Sequence, residues 1–367
     1  MARVCRRTET VIVGLTQPVM RRMGREVSAF LDIVRLVAAV AVFLSHASWH
    51  DHTDGLFWQL STIGREAVDV FFVLSGFVIA HATEGRGVRE YVASRLARVW
   101  SVAVPALALT YVLDAIGRSV RPELYHGFCC DAGGAAIWQF LRNLVFTGNI
   151  WSVQISPGSD IPYWSLGFEA WYYLAFGLFV FLPARLRWLG AGAAMVVAGP
   201  GIAVLFPLWL LGVWCRGRKM PLGWGWVGVV MGLAGVVVAA AMQQRQGQIY
   251  DPFVLEAGRL GDYGQDYLVG GCFALALLGI QRVGPDIGWL GGRLAGLRWA
   301  AGATFALYLF HLPLIRFAAA VVPWPVGGWQ MRALVMLGVP AVVLVLAEGT
   351  ERRKLAWRRG VRWVIGS

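Results

Sequence analysis

The sequence predicts an all-α protein: a polytopic membrane helix bundle of about ten transmembrane helices with both termini in the cytoplasm. Three observations predict this class. Hydrophobic residues make up 57% of the 367 residues and charged residues only 15%, and the mean hydropathy is +0.59, a composition too apolar for a soluble domain of this size. Apolar runs that suit a hydrocarbon core of roughly 30 Å recur along the chain. Basic residues gather at the ends of those runs.

Ten apolar runs are assigned as spans, since a helix needs roughly 20 apolar residues to cross a bilayer. The motif Gly199-Pro200-Gly201 divides one apolar stretch into two shorter runs, the fifth and the sixth. In order, the runs cover residues 27–49, 57–81, 99–117, 163–182, 188–199, 201–215, 224–242, 266–281, 299–320 and 333–348.

The basic residues predict the orientation. With a cytoplasmic amino terminus, 24 of the 33 Lys and Arg residues fall in segments on the inside, 8 fall outside, and Arg35 lies within a span. Cytoplasmic loops of membrane proteins carry such an excess, so both termini are predicted to be cytoplasmic. We therefore interpret the net charge of +12 as a topology signal and not as a nucleic-acid-binding surface.

One membrane domain, 27–350, is predicted between a basic cytoplasmic segment, 1–26, and a basic cytoplasmic tail, 351–367. The amino-terminal segment lacks the apolar stretch and small-residue cleavage site of a signal peptide. An amphipathic piece, 138–146, is expected at the membrane interface. The five cysteines show no metal-ligand spacing, so no metal site is expected.

Polar and ionisable side chains inside spans are the candidate functional residues, because they are costly in lipid. The first span carries Asp32, Arg35 and His46. Eleven residues at about 100° each place Arg35 and His46 on one face of a helix, about 16 Å apart along its axis. A guanidinium can bind phosphate or polarise a carbonyl, and a neutral imidazole can remove a proton from an alcohol. The alternative is structural, with Arg35 paired to Asp32 or Asp69 and His46 in a simple hydrogen bond.

The second span contributes Asp69, Ser75 and Gly76. A buried carboxylate needs a partner, and Arg35 is predicted to supply it for Asp69. Ser75 and Gly76 are small enough for close helix packing, and that is the role we expect for both.

Two arginines and one glutamate extend the candidate set. Arg95 and Arg98 are three residues apart, so they face one way on a helix and can clamp phosphate on the cytoplasmic side. Ordinary positive-inside anchoring is the alternative. Glu169 lies roughly 9 Å below the outer end of its span, close to the depth of His46. It is expected either to orient the imidazole or to form a structural salt bridge.

His311 is the last candidate, two residues before Pro313 in the ninth span. It either lines a tunnel or bonds a carbonyl that the proline kink frees. The pattern formed by His46 and Asp51 is discounted, because residues five apart diverge by about 140° on a helix.

Together these motifs resemble the acyltransferase-3 family of bacterial membrane O-acyltransferases, over essentially the whole chain. The carriers of the resemblance are Leu31-Asp32-Ile33-Val34-Arg35 with His46, the segment 68–79 around Ser75-Gly76-Phe77, the pair Arg95 and Arg98, Trp164-Ser165-Leu166 with Glu169, and the segment 308–314. The chain departs from the family pattern at Ala67, where a glycine is common, and at Ala170-Trp171, where an acidic residue and then Gln often follow the position of Glu169.

The resemblance implies transfer of an acyl group, often acetyl, from acyl-CoA to a hydroxyl of a cell-surface or exported polysaccharide. Acyl-CoA is the implied donor substrate, with no bound cofactor, and the expected location is the bacterial plasma (inner) membrane. Expected partners are the acceptor glycan, the lipid bilayer and polysaccharide-synthesis or export proteins. Catalytic roles are implied for Arg35, His46 and Glu169, donor binding for Arg95 and Arg98, and supporting roles are predicted for Asp32, Asp69, Ser75, Gly76 and His311.

Two other classes of function compete. In a polytopic transporter or flippase of a glycan or small molecule, the intramembrane charges would form a substrate or proton pathway, but the sequence shows no inverted repeat. A non-enzymatic membrane subunit of a polysaccharide-export assembly would tolerate replacement of Arg35 and His46.

Overall fold

A computed structural model of the chain describes residues 23–125, 136–151, 155–246, 260–284 and 295–364, and over these residues all regular structure is helical. In chain order the helices are α1 Arg25–Ala47, α2 His50–Thr53, α3 Gly64–Thr83, α4 Val88–Val120, α5 Ala136–Leu144, α6 Trp164–Phe181, α7 Arg187–Ala198, α8 Pro200–Cys215, α9 Gly225–Gln246, α10 Leu260–Val283, α11 Ala295–Ala301, α12 Thr304–Val321, α13 Trp329–Ala333, α14 Val339–Gly349 and α15 Lys354–Val364. Single 3₁₀ turns cover Trp58–Leu60, Pro122–Tyr125, Ile161–Tyr163 and Glu351–Arg353, and a π-helical stretch, Leu334–Gly338, joins α13 to α14.

The all-α class is confirmed, and each predicted apolar run contains a helix. Within the described ranges, six segments are long and apolar enough to cross a membrane: Arg25–Ala47, Val88–Val120, Gly225–Met242, Tyr263–Val283, Thr304–Val321 and Trp329–Trp363. Helices α7 and α8 are apolar but shorter. The count of ten spans and the cytoplasmic location of both termini stay predictions.

Three predicted boundaries differ from the structure. The second run was expected from residue 57, but α3 begins at Gly64, because Phe57 has a positive φ of 60° and a 3₁₀ turn follows it. The third was expected from residue 99, but α4 begins at Val88 and continues through Pro105 for 33 residues. The tail also contains a helix, α15, which packs on α4.

The core is formed by α1, α3, α4, α6, α8, α10 and α12, with α9 packed on α10. The α3–α8 crossing contains the candidate residue Gly76. A Cβ atom on Gly76 would overlap the carbonyl oxygen of Trp209, and one on Gly212 would overlap that of Val73. The packing role predicted for Gly76 is therefore confirmed, since only residues without a side chain allow these backbones to approach so closely.

Candidate active site

Two histidines meet near the carboxyl end of α1. Nε2 of His311, on α12, lies 3.1 Å from Nδ1 of His46, and the ring centroids are 5.1 Å apart. Each Nδ1 also contacts the carbonyl four residues earlier in its own helix: that of Val42 at 2.9 Å from His46, and that of Leu307 at 2.8 Å from His311. His311 is fully buried and His46 is half-buried.

These contacts determine which nitrogens carry protons when both rings are neutral. A carbonyl oxygen only accepts, so Nδ1 of each histidine must be the protonated nitrogen. Nε2 of His311 is then an acceptor for the Nδ1–H of His46, which it shares with Val42. Consequently Nε2 of His46 carries a lone pair, and none of the described hydrogen bonds engages it. This is the arrangement that a general base requires.

The chain after α1 folds back and holds the end of this helix. Nδ1 of His52 donates to the carbonyl of His46 at 2.6 Å, and the hydroxyl of Thr53 donates to that of Ala47 at 2.6 Å. The Trp49 ring meets the His46 ring edge-on, with centroids 4.9 Å apart, and stacks on the His52 ring at 5.3 Å. The imidazole of His46 is thus held by contacts to its ring and to its own carbonyl.

A cavity of about 760 Å³ lies among α1, α3, α4, α6 and α12. Arg35 and Arg98 line it together with Ser75 and Glu169, and apolar side chains, among them Phe71, form much of its wall. The two guanidinium groups suit an anionic ligand, and the apolar wall suits its uncharged portion.

The cavity extends toward the histidine pair along α12. Tyr308 lines the cavity and His311 follows three residues later, about 4.5 Å along the helix axis. The Tyr308 hydroxyl donates to the carbonyl of Pro162 at 3.1 Å, and it shares a hydrogen bond of 2.6 Å with Ser165. The Tyr308 ring is therefore fixed at the end of the cavity nearest His311.

Glu169 is the centre of a polar cluster in the cavity wall. Its Oε1 accepts hydrogen bonds from the hydroxyls of Ser75 and Tyr173. Nε1 of Trp209 donates to Oγ of Ser75 at 3.3 Å, and Arg95 lies over the ring of Tyr173, 5.7 Å from its centroid. The cluster joins α3, α4, α6 and α8 around one carboxylate.

The predicted partnership between Glu169 and His46 is wrong. The hydrogen bonds of Glu169 go to Ser75 and Tyr173, whereas the ring of His46 contacts His311. Depth along the span, which suggested the pair, does not determine which way a side chain points around its helix. Ser75 likewise has a polar role in addition to its small size.

The predicted ion pair between Arg35 and Asp69 is also wrong. Arg35 lies 3.6 Å from Asp32 on its own helix, and Asp32 also lies 3.5 Å from Arg298. Asp69 instead approaches Asp266 on α10, to which Arg65 donates two hydrogen bonds. The charge on Asp69 therefore belongs to the α3–α10 contact and not to the cavity.

Neither expectation for His311 describes it. Pro313 removes the amide that would bond the carbonyl of Leu309, yet His311 bonds that of Leu307, and it does not line the cavity. Its ring contacts His46 instead. The discounted pattern was correctly set aside, since the Asp51 carboxylate approaches His52, at 3.9 Å, and not His46.

Several site residues were not predicted. Tyr173, Trp209 and Glu351 lie outside the candidate set, although Tyr173 stands four residues after Glu169 and a helix places such residues side by side. The carboxylate of Glu351 accepts the backbone amides of Phe305 and Ala306, each at 3.0 Å, at the start of α12. Its position follows the last predicted span, where a basic cytoplasmic tail was expected.

Among the described residues, no group of three or more His, Cys, Asp or Glu side chains is placed to hold a metal ion. The ionisable groups of the site are the imidazole of His46, the guanidinium groups of Arg35 and Arg98, and the carboxylate of Glu169.

Comparison with known proteins identifies relatives over most of the chain. The model of a family described as an acyltransferase domain matches residues 28–347. The chain is 27% identical to a protein named acyltransferase MdmB from Streptomyces mycarofaciens, across 89% of this chain and 92% of that protein. It is 30% identical over 147 residues to the exopolysaccharide production protein ExoZ from Rhizobium meliloti (strain 1021), across 39% of this chain and 43% of that protein. No solved structure matches significantly.

Proposed function

This chain belongs to the acyltransferase-3 family, and on that premise we propose that it is a membrane O-acyltransferase acting from acyl-CoA on a glycan hydroxyl. The acyl group, acetyl in the simplest case, goes to a cell-surface or exported polysaccharide. The observation that carries the proposal is the placement of His46: its Nδ1 contacts the carbonyl of Val42 and Nε2 of His311, and none of the described hydrogen bonds engages its Nε2. We place the activity in the bacterial plasma membrane, with polysaccharide-synthesis or export proteins as partners.

The histidine pair supports direct transfer to an alcohol. Nε2 of His46 removes the hydroxyl proton as the acceptor oxygen attacks the thioester carbonyl carbon. The C–O bond forms, the C–S bond breaks, and the CoA thiolate takes the proton from His46. The products are an ester and free CoA, and the imidazole returns to its neutral form. Nε2 of His311 accepts from the Nδ1–H throughout and stabilises the positive charge on the His46 ring.

The cavity supports a threaded donor. Arg35 and His46 are separated by about 16 Å along α1, too far for one compact site. CoA phosphates bound near Arg98 and Arg35 would leave the pantetheine arm to extend along the apolar wall to Tyr308. Arg35 therefore positions the donor in this mechanism and does not touch the reacting carbonyl. Arg95, seated over Tyr173, keeps positive charge beside the entrance.

The Glu169 cluster supports the donor site through its charge and its hydrogen bonds. Arg95 and Arg98 both interact electrostatically with Glu169 and Tyr173. Because Glu169 holds Ser75 and Tyr173 from two helices, its replacement would displace one wall of the cavity. We assign Glu169 a positioning role.

The printed names of the relatives support the choice of reaction and acceptor. MdmB is named an acyltransferase, and ExoZ is named for exopolysaccharide production. A polysaccharide is the acceptor that we propose on this ground.

The test measures ester-linked acyl groups on surface glycans in a deletion strain. Complementation with the wild-type protein should restore them, and His46→Ala should not. His50→Ala is the matched control, because His50 is an exposed histidine four residues away that contacts Asp54. Full restoration by His46→Ala would exclude the base assigned here. Unchanged esters in the deletion strain would exclude a glycan acceptor.

A further inference from the structure

A second pocket lies near the carboxyl end of α4, separate from the cavity at Arg35. The empty space between its walls, including the adjoining open solvent, is about 600 Å³. α4, α5 and the segment before α6 form its walls. The lining side chains that carry the argument are Thr110, Tyr111, Asp114, Arg118, Gln139 and Phe140.

A threonine hydroxyl in the pocket wall has no hydrogen-bond partner among the described residues. Thr110 is 2% exposed, and its hydroxyl makes no hydrogen bond among the described residues. A buried hydroxyl without a partner is unfavourable, and a bound polar ligand would remove that cost. The hydroxyl of Thr110 is therefore available to form a hydrogen bond with a hydroxyl of a bound ligand.

The pocket is also held in shape. Asp114 accepts hydrogen bonds from the backbone amide of Ser159 at 2.7 Å and from its hydroxyl at 2.5 Å. Gly158, with φ of 59°, brings the backbone so close that a Cβ atom there would overlap the Asp114 carboxylate. The segment before α6 is thereby fixed against α4, and the pocket does not depend on a ligand to form.

The lining chemistry favours a neutral, hydroxylated ring. Asp114 and Arg118 supply one charge of each sign, so the pocket has no net attraction for an ion. Gln139 and Thr110 can each donate and accept hydrogen bonds, as alternating hydroxyls require. Tyr111 and Phe140 supply ring faces that cover the apolar face of a sugar.

The pocket lies on the same side of the molecule as the histidine pair. Asp114 follows Arg95 by 19 residues on α4, about 28 Å along the helix, and so lies far from the cluster around Glu169. Helix α12, which carries His311, packs on α4. Arg316, five residues after His311, donates to the carbonyl of Leu124, just after α4, at 3.3 Å. An acceptor held in the pocket therefore lies beside the helix that carries His311 and away from the donor phosphates.

We infer that this pocket is the acceptor subsite and that it binds one neutral pyranose ring next to the ring whose hydroxyl is acylated. The inference rests on the proposed function for the identity of the acceptor, but sugar binding at the pocket is a separate property. It assigns to Thr110, Asp114 and Gln139 the hydrogen bonds to the sugar, and to Tyr111 and Phe140 the contact with its face.

The test compares two tryptophan substitutions on α4 in the full chain in lipid nanodiscs. Ala115→Trp fills the pocket, which Ala115 lines, whereas Val112→Trp adds the same ring at an exposed position that does not line it. Binding of the methyl glycosides of glucose, galactose and rhamnose is followed by saturation-transfer NMR. Binding of acetyl-CoA is measured in parallel by calorimetry.

At least one glycoside should bind the wild type and Val112→Trp, with affinity lowered about tenfold or more, roughly 1.4 kcal/mol, in Ala115→Trp. Acetyl-CoA should bind all three proteins equally. Absence of glycoside binding, equal binding to Ala115→Trp, or loss of acetyl-CoA binding in that variant would overturn the inference. His46→Ala should keep glycoside binding, so a failure of the catalytic proposal would leave this result standing.

Discussion

His46 and His311 form a ring-to-ring contact between two helices of the bundle, α1 and α12. They are 265 residues apart in sequence, and neither has a carboxylate partner in its ring hydrogen bonds. The orientation of the base is set by two backbone carbonyls and one imidazole. Because the acceptor for Nδ1 of His46 is a histidine and not a carboxylate, the pair is uncharged before the reaction. An uncharged pair has a lower free-energy cost in lipid than a charged one.

Replacement of His311 tests this positioning role. His311→Leu cannot accept from Nδ1 of His46, so kcat for CoA release should fall about 10²-fold, the cost of a misplaced catalytic group. His311→Gln retains an acceptor oxygen and should recover much of that loss. KM for acetyl-CoA should not change in either variant. Equal kcat values for the Leu and Gln variants would show that the imidazole acceptor does not orient His46.

The buried carboxylate of Asp160 leads us to expect that the folding stability of the protein depends on pH. Its carboxylate is fully buried before α6, both oxygens lack hydrogen bonds among the described residues, and burial together with Asp114 raises its pKa well above the usual value. The folded protein therefore binds this proton more tightly than the unfolded chain. The associated stability is fully present below the ordinary pKa of 3.8 and is lost as pH rises through the raised value.

Asp160→Asn should remove this dependence. Relative to the variant, the wild type should lose about 1.4 kcal/mol per pH unit across that window. Thermal unfolding of the detergent-solubilised protein against pH measures the difference, with Glu123→Gln as a control at an exposed carboxylate. Parallel curves for the wild type and Asp160→Asn would mean that Asp160 titrates normally.

At the scale of single residues, the sequence selected many of the right groups but often the wrong partners. Polar side chains inside spans stand out because lipid penalises them, and this is how Arg35, His46 and Glu169 were found. Partner choice depends on how each helix is rotated about its axis. That rotation is set by packing between helices, which a single sequence does not reveal, so Glu169 was paired with the wrong residue.

Among the elements, the α3–α8 crossing gives the most direct stability prediction. Gly76→Ala places a methyl group against the backbone of Trp209, which cannot move aside as a side chain can. Overpacking of this kind costs about 1–3 kcal/mol. Thermal unfolding in detergent should show a lower midpoint for this variant.

Gly192→Ala is the matched control, since a Cβ atom at Gly192, inside α7, meets no atom within 4 Å. It should raise stability by up to about 1 kcal/mol through helix propensity. If both variants unfold at the wild-type temperature, the two helices are not in contact through Gly76.

Helix α4 shows why element boundaries were harder to predict than element type. The apolar run from residue 99 identified the helix, but α4 begins at Val88 because the basic turn with Arg95 and Arg98 is helical too. Hydropathy shows where lipid contact begins, but it does not show where the helix begins. The same reasoning explains α15. Hydropathy did not reveal this helix because it is rich in basic residues, and ion pairs of Arg358 and Arg362 with Glu90 hold it to α4.

In the mechanism proposed here, the whole molecule separates a donor region from an acceptor region, with His46 as the base between them. The cavity with Arg35 and Arg98 lies toward the amino end of α1, and the pocket at Asp114 lies toward the carboxyl end of α4. Helix α12 connects the two regions. Tyr308 lines the cavity, His311 contacts His46, and Arg316 lies near the pocket. Such an arrangement suits a reaction in which donor and acceptor approach from opposite sides.

The architecture was predictable from sequence to the level of an all-helical membrane bundle, because composition and apolar runs suffice for that. The contacts that bring the site residues together were not predictable from the sequence. Ser75 and Glu169 are 94 residues apart, and His46 and His311 are 265 apart, so only the folded chain shows that they meet. Asp266, which binds Arg65, begins the predicted run 266–281 but was not among the candidate residues.

The central claim is that His46 removes the acceptor proton, and the most direct test is CoA release by the purified protein in nanodiscs, with acetyl-CoA and glycan from the deletion strain. Wild type and His50→Ala should release CoA at the same rate and form ester, while His46→Ala should be slower by about 10²–10⁴-fold, with unchanged affinity for acetyl-CoA. Wild-type rates of CoA release and ester formation by His46→Ala would contradict the account.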